Sequence, residues 1–186
     1  MKRKVGSLEV IAGPMFSGKT EELIKRIRRA IIGKQKTIVF KHKLDVRYLK
    51  RNVISHSKIS HKSKAVTSVK DILKQAQNFE VVGIDETMWF GKDLIEVVDK
   101  LVNQGKRLIV TGLALTFNRE PFTPMPELMA LADKVDKLTS VCVICGKEAI
   151  YHKKISGDTK NPFSITKKHV GEKDVYEARC RNCFDL

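Results

Sequence analysis

Gly13-Pro14-Met15-Phe16-Ser17-Gly18-Lys19-Thr20 is the stretch on which the fold turns. It matches the phosphate-loop pattern G-x-x-x-x-G-K-[ST], in which backbone N–H groups face phosphate oxygens and glycines permit close approach. In such a loop Lys19 reaches the β- and γ-phosphates, and the Thr20 hydroxyl serves Mg²⁺. The flanks agree with this reading. Leu8-Glu9-Val10-Ile11-Ala12 has the character of a strand running into the loop. Leu23, Ile24, Ile27, Ala30 and Ile31 then recur at helical spacing, and Gly33 is a natural stop. The N-terminus of that helix points its positive end at the loop. The competing reading is a glycine-rich turn with an exposed lysine.

Outward from the loop, apolar strands alternate with amphipathic helices. Thr37–Phe40, Val81–Ile84 and Leu108–Gly112 read as strands, and Ala65-Val66 as a brief one. Val69, Ile72, Leu73 and Ala76 mark one helix, and Leu94, Val97, Val98 and Leu101 another. This alternation predicts an α/β fold with a parallel sheet covered on both faces. The residues between Tyr48 and Ala65 are polar and weakly patterned, and read as a long mobile segment.

A chain of 186 residues suffices for one good core plus a small appendage. Near Val141 the composition turns basic and loop-rich, which places a boundary between residues 1–140 and 141–186. The second part carries Cys142-x-x-Cys145 and Cys180-x-x-Cys183. No signal-peptide core follows the basic Met1-Lys2-Arg3-Lys4 and no apolar run is long enough to span a membrane, so a reducing cytoplasm is expected. There, paired C-x-x-C motifs read as a four-thiolate zinc site, with redox pairs or free thiols as alternatives. The net charge of +15 suits nucleotides or nucleic acid, or a lysine-rich solvated surface, because the positive residues are spread rather than blocked. His42, His56, His61, His152 and His169 lack ligand-like spacing and read as surface or loop residues.

Asp85 ends an apolar strand, where a P-loop fold needs a carboxylate for Mg²⁺. Glu86 beside it is placed to orient or deprotonate a nucleophile. That nucleophile is water in an ATPase and a substrate hydroxyl in a kinase; a pair of solvated acids is the bland alternative. Phe117 and Phe122 read equally as ordinary core or as pocket lining.

Taken together, these motifs resemble the thymidine kinases of the cellular, zinc-containing type, over nearly the whole chain. The similarity rests on the loop at 13–20, on Lys41 to Tyr48 with its Asp-x-Arg, and on Ile84-Asp85-Glu86. It extends through Gly112-Leu113, Thr116-Phe117 and Glu120-Pro121-Phe122 to both cysteine pairs, with Tyr176 four residues before Cys180. The resemblance implies a P-loop NTPase (RecA-like) domain with a C-terminal zinc-binding lasso domain. It implies transfer of the γ-phosphoryl group of ATP to the thymidine 5′-hydroxyl. Glu86 would be the general base, Lys19 and Arg47 would act on the transferred group, and Asp45 would sit near it. The nucleotide would lie on Gly13, Pro14, Met15, Phe16, Ser17, Gly18, Lys19 and Thr20, with Thr20 and Asp85 serving Mg²⁺. Met15, Trp89, Leu113, Phe117, Phe122 and Tyr176 would line the nucleoside pocket, and the backbone of Val170, Gly171 and Glu172 would meet the pyrimidine. Cys142, Cys145, Cys180 and Cys183 would hold structural zinc. A homotetramer is implied, with no nucleic acid or membrane partner. Rivals are a nucleic-acid-dependent P-loop ATPase, a deoxynucleoside kinase with altered base preference, and a zinc-ribbon interaction module with a silent P-loop.

Four positions depart from the family pattern. Met88 stands where glutamine is usual, Trp89 where phenylalanine is, Ala114 where aspartate is, and Glu172 where glycine is. They bear on substrate fit and rate more than on reaction class.

Overall fold

The structure, a computed structural model, describes residues 5–44, 52–54, 60–156 and 175–186. Its elements run β1 (Ser7–Gly13), α1 (Lys19–Ile32), β2 (Thr37–His42), β3 (Asn52–Ile54), β4 (Ser60–Lys62), β5 (Lys64–Val66), α2 (Val69–Gln75) and β6 (Val81–Asp85). A turn of 3-10 helix (Thr87–Phe90), α3 (Asp93–Asn103), β7 (Arg107–Leu113), α4 (Met125–Leu131) and β8 (Lys134–Lys137) follow. Four short strands end the chain: β9 (Ser140–Val141), β10 (Glu148–Ala149), β11 (Tyr151–Lys154) and β12 (Tyr176–Arg179).

The central sheet is all parallel, in the order β5-β2-β6-β7-β1-β8. Its apolar strands bury both faces, so each face needs a cover. On one side α1 lays Leu23, Ile24, Ile27 and Ala30 against Ile11, Val39, Val81 and Ile109. Gly83 lets α1 approach: a Cβ there would stand 3.2 Å from Leu23 Cδ1 and 3.3 Å from Ile27 Cδ1. On the other side α2, α3 and α4 bring Ile72, Leu94, Val98, Leu101, Met125 and Leu128 against Val10, Phe40, Val82, Ile84, Leu108 and Val110. Ser68 caps α2, its hydroxyl accepting from Lys70 N at 3.1 Å. Gly33 ends α1 as expected, yet its φ is −72°, and Lys34 at φ 59° takes the left-handed position.

Several features differ from the sequence reading, helix α4 and the short strands β9 to β12 among them. The edge strand β8 went unseen, because Lys-Val-Asp-Lys pairs with β1 alone and stays mostly exposed. In the polar segment read as mobile, β3 and β4 form an antiparallel ladder, Asn52 opposite Lys62. Two of the five histidines are not surface or loop residues. His42 is buried in β2, edge-on to Phe90 at 4.9 Å, and His152 is buried in β11. His56 and His169 lie outside the described residues. Among the described residues no helix is long and apolar enough to cross a membrane.

A buried guanidinium ties the α1 side of the sheet together. Arg26 donates to Glu9 at 2.8 Å, Glu22 at 2.9 Å and Asp136 at 2.6 Å, joining α1 to β1 and β8; Arg107 donates to Glu9 at 2.6 Å. Its hydrogen bond holds the Asp136 carboxyl below the usual range; for Glu22, burial pulls upward but the bonds to Arg26 and Lys25 prevail and lower it. Both groups therefore stabilise the fold fully above their unfolded values of about 4, and lose that contribution as pH falls through the folded values. Arg26→Leu removes the partner that Glu9, Glu22 and Asp136 share and leaves them only Arg107, Lys25 and Lys134, one apiece; it is expected to cost about 2 kcal/mol in urea unfolding at pH 7. The deficit should shrink toward pH 3; an unchanged midpoint at pH 7 contradicts this role for Arg26.

Candidate active site

Parallel topology brings the carboxyl ends of β1, β2, β6 and β7 to one edge of the sheet, where such folds place their ligands. From β1 the chain enters the loop through Gly13, where a Cβ would lie 2.7 Å from Ser17 Oγ and 2.8 Å from the Leu138 carbonyl. Phe16 (φ 63°) and Gly18 (φ 80°) take left-handed conformations, which turn the backbone into a concave cradle ending at the N-terminus of α1. Lys19 is buried, and its Nζ donates to the Pro14 carbonyl at 2.6 Å. Ser17 Oγ donates to the same oxygen at 2.9 Å.

Asp85 closes β6 and faces the loop. Thr20 Oγ1 lies 3.4 and 3.3 Å from its two carboxylate oxygens. Neighbouring Mg²⁺ ligands in an octahedron stand about 3 Å apart, so this pair of oxygens fits the ion. Two further donors fix the carboxylate: the Glu86 N–H at 3.1 Å and the hydroxyl of fully buried Thr111, from β7. Thr111 was not singled out by its sequence; nothing in an apolar strand marks one threonine as a carboxylate donor. Glu86 is buried and holds φ 51°, ψ 53°. A non-glycine residue there carries backbone strain of about 1–3 kcal/mol, which clusters at functional positions.

The aromatic and apolar candidates assemble beside this centre. Met88, Leu113 and Phe122 form one cluster, with Met15 and Trp89 packed on it. Phe117, Val175 and Tyr176 form another, on which Met15 and Phe16 pack. Met15 belongs to both, so the two clusters flank the tip of the phosphate loop. Phe117 and Tyr176 rings lie 6.4 Å apart, and the Lys154 ammonium sits 5.2 Å from the Phe117 centroid. The buried Tyr176 hydroxyl has no hydrogen-bond partner among the described residues, and burial raises its pKa. Asp45, Arg47, Val170, Gly171 and Glu172 lie outside the described residues.

Cys142, Cys145, Cys180 and Cys183 converge, their sulfurs all within 4.8 Å of one another. Cys145 Sγ and Cys180 Sγ are 3.6 Å apart. Tetrahedral zinc with Zn–S bonds of about 2.3 Å needs sulfurs about 3.8 Å apart, so the cluster is compatible with that ion. Gly146 at φ 72° turns the first knuckle back, its N–H donating to the Cys142 carbonyl at 2.9 Å. Burial acts to raise the Cys142 thiol, but backbone N–H groups of Cys180, Cys145 and Ile144 outweigh it and bring it down to about 6. The neighbouring thiols, Cys180 first, push Cys183 up to about 12. Four sulfurs gathered this closely make a donor set that could share one cation. Phe16 packs against this cluster too, and Ser140 Oγ donates to the Phe16 carbonyl at 3.2 Å.

A family model described as thymidine kinase matches residues 6–184. The thymidine kinases of two Porphyromonas gingivalis strains are each 43% identical over 180 residues, covering 96% of this chain and 85% of theirs. The thymidine kinase of a Rhodothermus species is 43% identical over 180 residues, covering 97% of this chain and 82% of its own.

Elemental analysis of protein made in zinc-replete medium should find about one zinc per chain, released by thiol-modifying reagents. Chelation should lower the melting temperature. Protein with no zinc, or with a melting curve indifferent to its removal, would rule out a structural metal at this cluster.

Proposed function

Because the chain belongs to the thymidine kinase family, we propose that it transfers the γ-phosphoryl group of ATP to the 5′-hydroxyl of thymidine, giving ADP and thymidine monophosphate. One observation carries this reading: a single loop side chain, Met15, joins two apolar and aromatic clusters directly at the phosphate loop and the Asp85-Glu86 pair. A flat uncharged base and a chain of phosphates thus have adjoining places.

Backbone N–H groups of the loop from Met15 to Thr20 and the Lys19 ammonium, which has donors to spare beyond the one on the Pro14 carbonyl, hold the phosphates. Thr20 and Asp85 hold Mg²⁺, whose charge offsets that of the phosphates when it is bound. The clusters around Met15 position the nucleoside so that its 5′-hydroxyl lies near Glu86. Glu86 takes the hydroxyl proton as that oxygen bonds to the γ-phosphorus. The bond to the bridging oxygen breaks, and ADP leaves with the electron pair. Arg47 and Asp45 belong near the transferred group, on the strength of the resemblance alone. The same proposal includes structural zinc on the four cysteines, a division into residues 1–140 and 141–186, a homotetramer and a cytoplasmic setting.

Glu86→Gln preserves shape and removes proton acceptance. It should lower kcat about 10²–10⁴-fold while calorimetry still finds ATP and thymidine bound. Lys19→Ala should cost at least about 10²-fold in kcat, on the scale of one lost electrostatic donor. Near wild-type turnover by Glu86→Gln would remove Glu86 as the base, and by Lys19→Ala would remove the loop from the mechanism.

A further inference from the structure

The antiparallel ribbon β11–β12 has two distinct faces. His152 pairs with Ala178 and Lys154 with Tyr176, so these four side chains share one face. Tyr151, Lys153, Glu177 and Arg179 share the other. That second face is occupied by the end of the chain: Tyr151 meets Phe184 edge-on at 5.3 Å, and Arg179 donates to the Cys183 carbonyl at 2.8 Å. The first face is turned toward the site. Tyr176 clusters with Phe117, Met15 and Phe16, and Lys154 lies over Phe117. His152 belongs to this wall: it is only 4% exposed and meets Tyr176 in a T-shaped contact, ring centroids 5.9 Å apart.

The charge state of His152 restricts what it can do there. Burial, and after it the positive charge of Lys19, push its imidazole down to about 3, so the ring is neutral at any physiological pH. A neutral imidazole does not offset phosphate charge, which Lys19 already does. It offers one N–H donor and one lone pair, and the tautomer is set by its partner. That is a match for the uncharged, donor-and-acceptor edge of a pyrimidine, not for the triphosphate. Its aromatic neighbours are suited to the flat faces of the same ligand.

We propose that His152 is a specificity-determining residue of the nucleoside pocket, hydrogen-bonding the pyrimidine base of the acceptor from the β11–β12 wall beside Tyr176. The assignment rests on the kinase function proposed above and adds to it a residue whose sequence context, Tyr-His-Lys-Lys, gives no sign of burial.

Steady-state kinetics on the full-length, zinc-loaded protein test it, with thymidine, deoxyuridine and deoxycytidine as acceptors. His152→Phe keeps a ring against Tyr176 and deletes both nitrogens. Loss of one buried hydrogen bond should raise the thymidine KM about tenfold. The ATP KM should stay within about twofold, the signature of lost acceptor binding rather than a disturbed fold. Relative kcat/KM among the three nucleosides should shift, and His152→Asn, which keeps a donor and an acceptor, should recover most of the thymidine KM. Zinc content and melting temperature certify each variant, and His152→Leu replaces the phenylalanine variant if that one does not fold. An active wild type with unchanged thymidine KM and nucleoside ranking in the variant overturns the role of His152 alone. A wild type that phosphorylates none of the three nucleosides overturns the kinase function and this role with it.

Discussion

Phe16 is the contact on which the site depends. It sits at the apex of the phosphate loop in a left-handed conformation, which turns its ring out of the cradle. There it packs on the cysteine cluster and on the cluster of Phe117, Val175 and Tyr176. Its carbonyl accepts from Ser140, at the start of the cysteine-bearing segment. The loop with the phosphate-binding motif therefore shares one packing unit with the cysteine-bearing segment and with Phe117 and Tyr176. The buried side chains of the short strands β9 to β12 belong to small clusters, not to the core around the central sheet. A metal across the four sulfurs would fix them, and through Phe16 the loop, in one arrangement.

A second constraint is the carboxylate of Asp85. It sits between donors from three directions: Thr20 on α1, Thr111 on β7 and the Glu86 N–H. A side chain held this way has little rotamer freedom left, and pre-organisation of that kind is what phosphoryl transfer asks of a protein. The left-handed backbone at Glu86 follows directly. It turns the chain out of β6 at Glu86 and into the 3-10 turn that follows. Local strain at that position is offset by the surrounding core, since β6 is buried on both faces.

Much of this was legible in the sequence, for identifiable reasons. The loop is a fixed pattern, and β1, β6 and β7 are apolar runs that only a twice-covered sheet explains. Met15, Trp89, Leu113, Phe117, Phe122 and Tyr176 were identified by family resemblance, and the structure brings them together; their aromatic character alone left core and pocket undecided. Elements whose burial comes from their position, not their composition, escaped. Strand β8 is charged because it lies at an edge. Helix α4, Met-Pro-Glu-Leu-Met-Ala-Leu, has a proline in its first turn and apolar residues at most other positions, so no polar face marks its period. His152 sits on a ribbon buried on both faces by unequal partners, so no alternation betrays it. Thr111 gains its meaning only from the register that sets β7 beside β6. Met88 and Trp89, two departures from the family pattern, belong to the cluster of Leu113, Phe122 and Met15.

Product balance with wild-type protein tests the central claim most directly. ADP, inorganic phosphate and thymidine monophosphate would be measured together as thymidine is titrated at saturating ATP and Mg²⁺. The account predicts that ADP release depends on thymidine and equals thymidine monophosphate one for one. ADP matched instead by inorganic phosphate and indifferent to thymidine, or stimulated by nucleic acid, would contradict it.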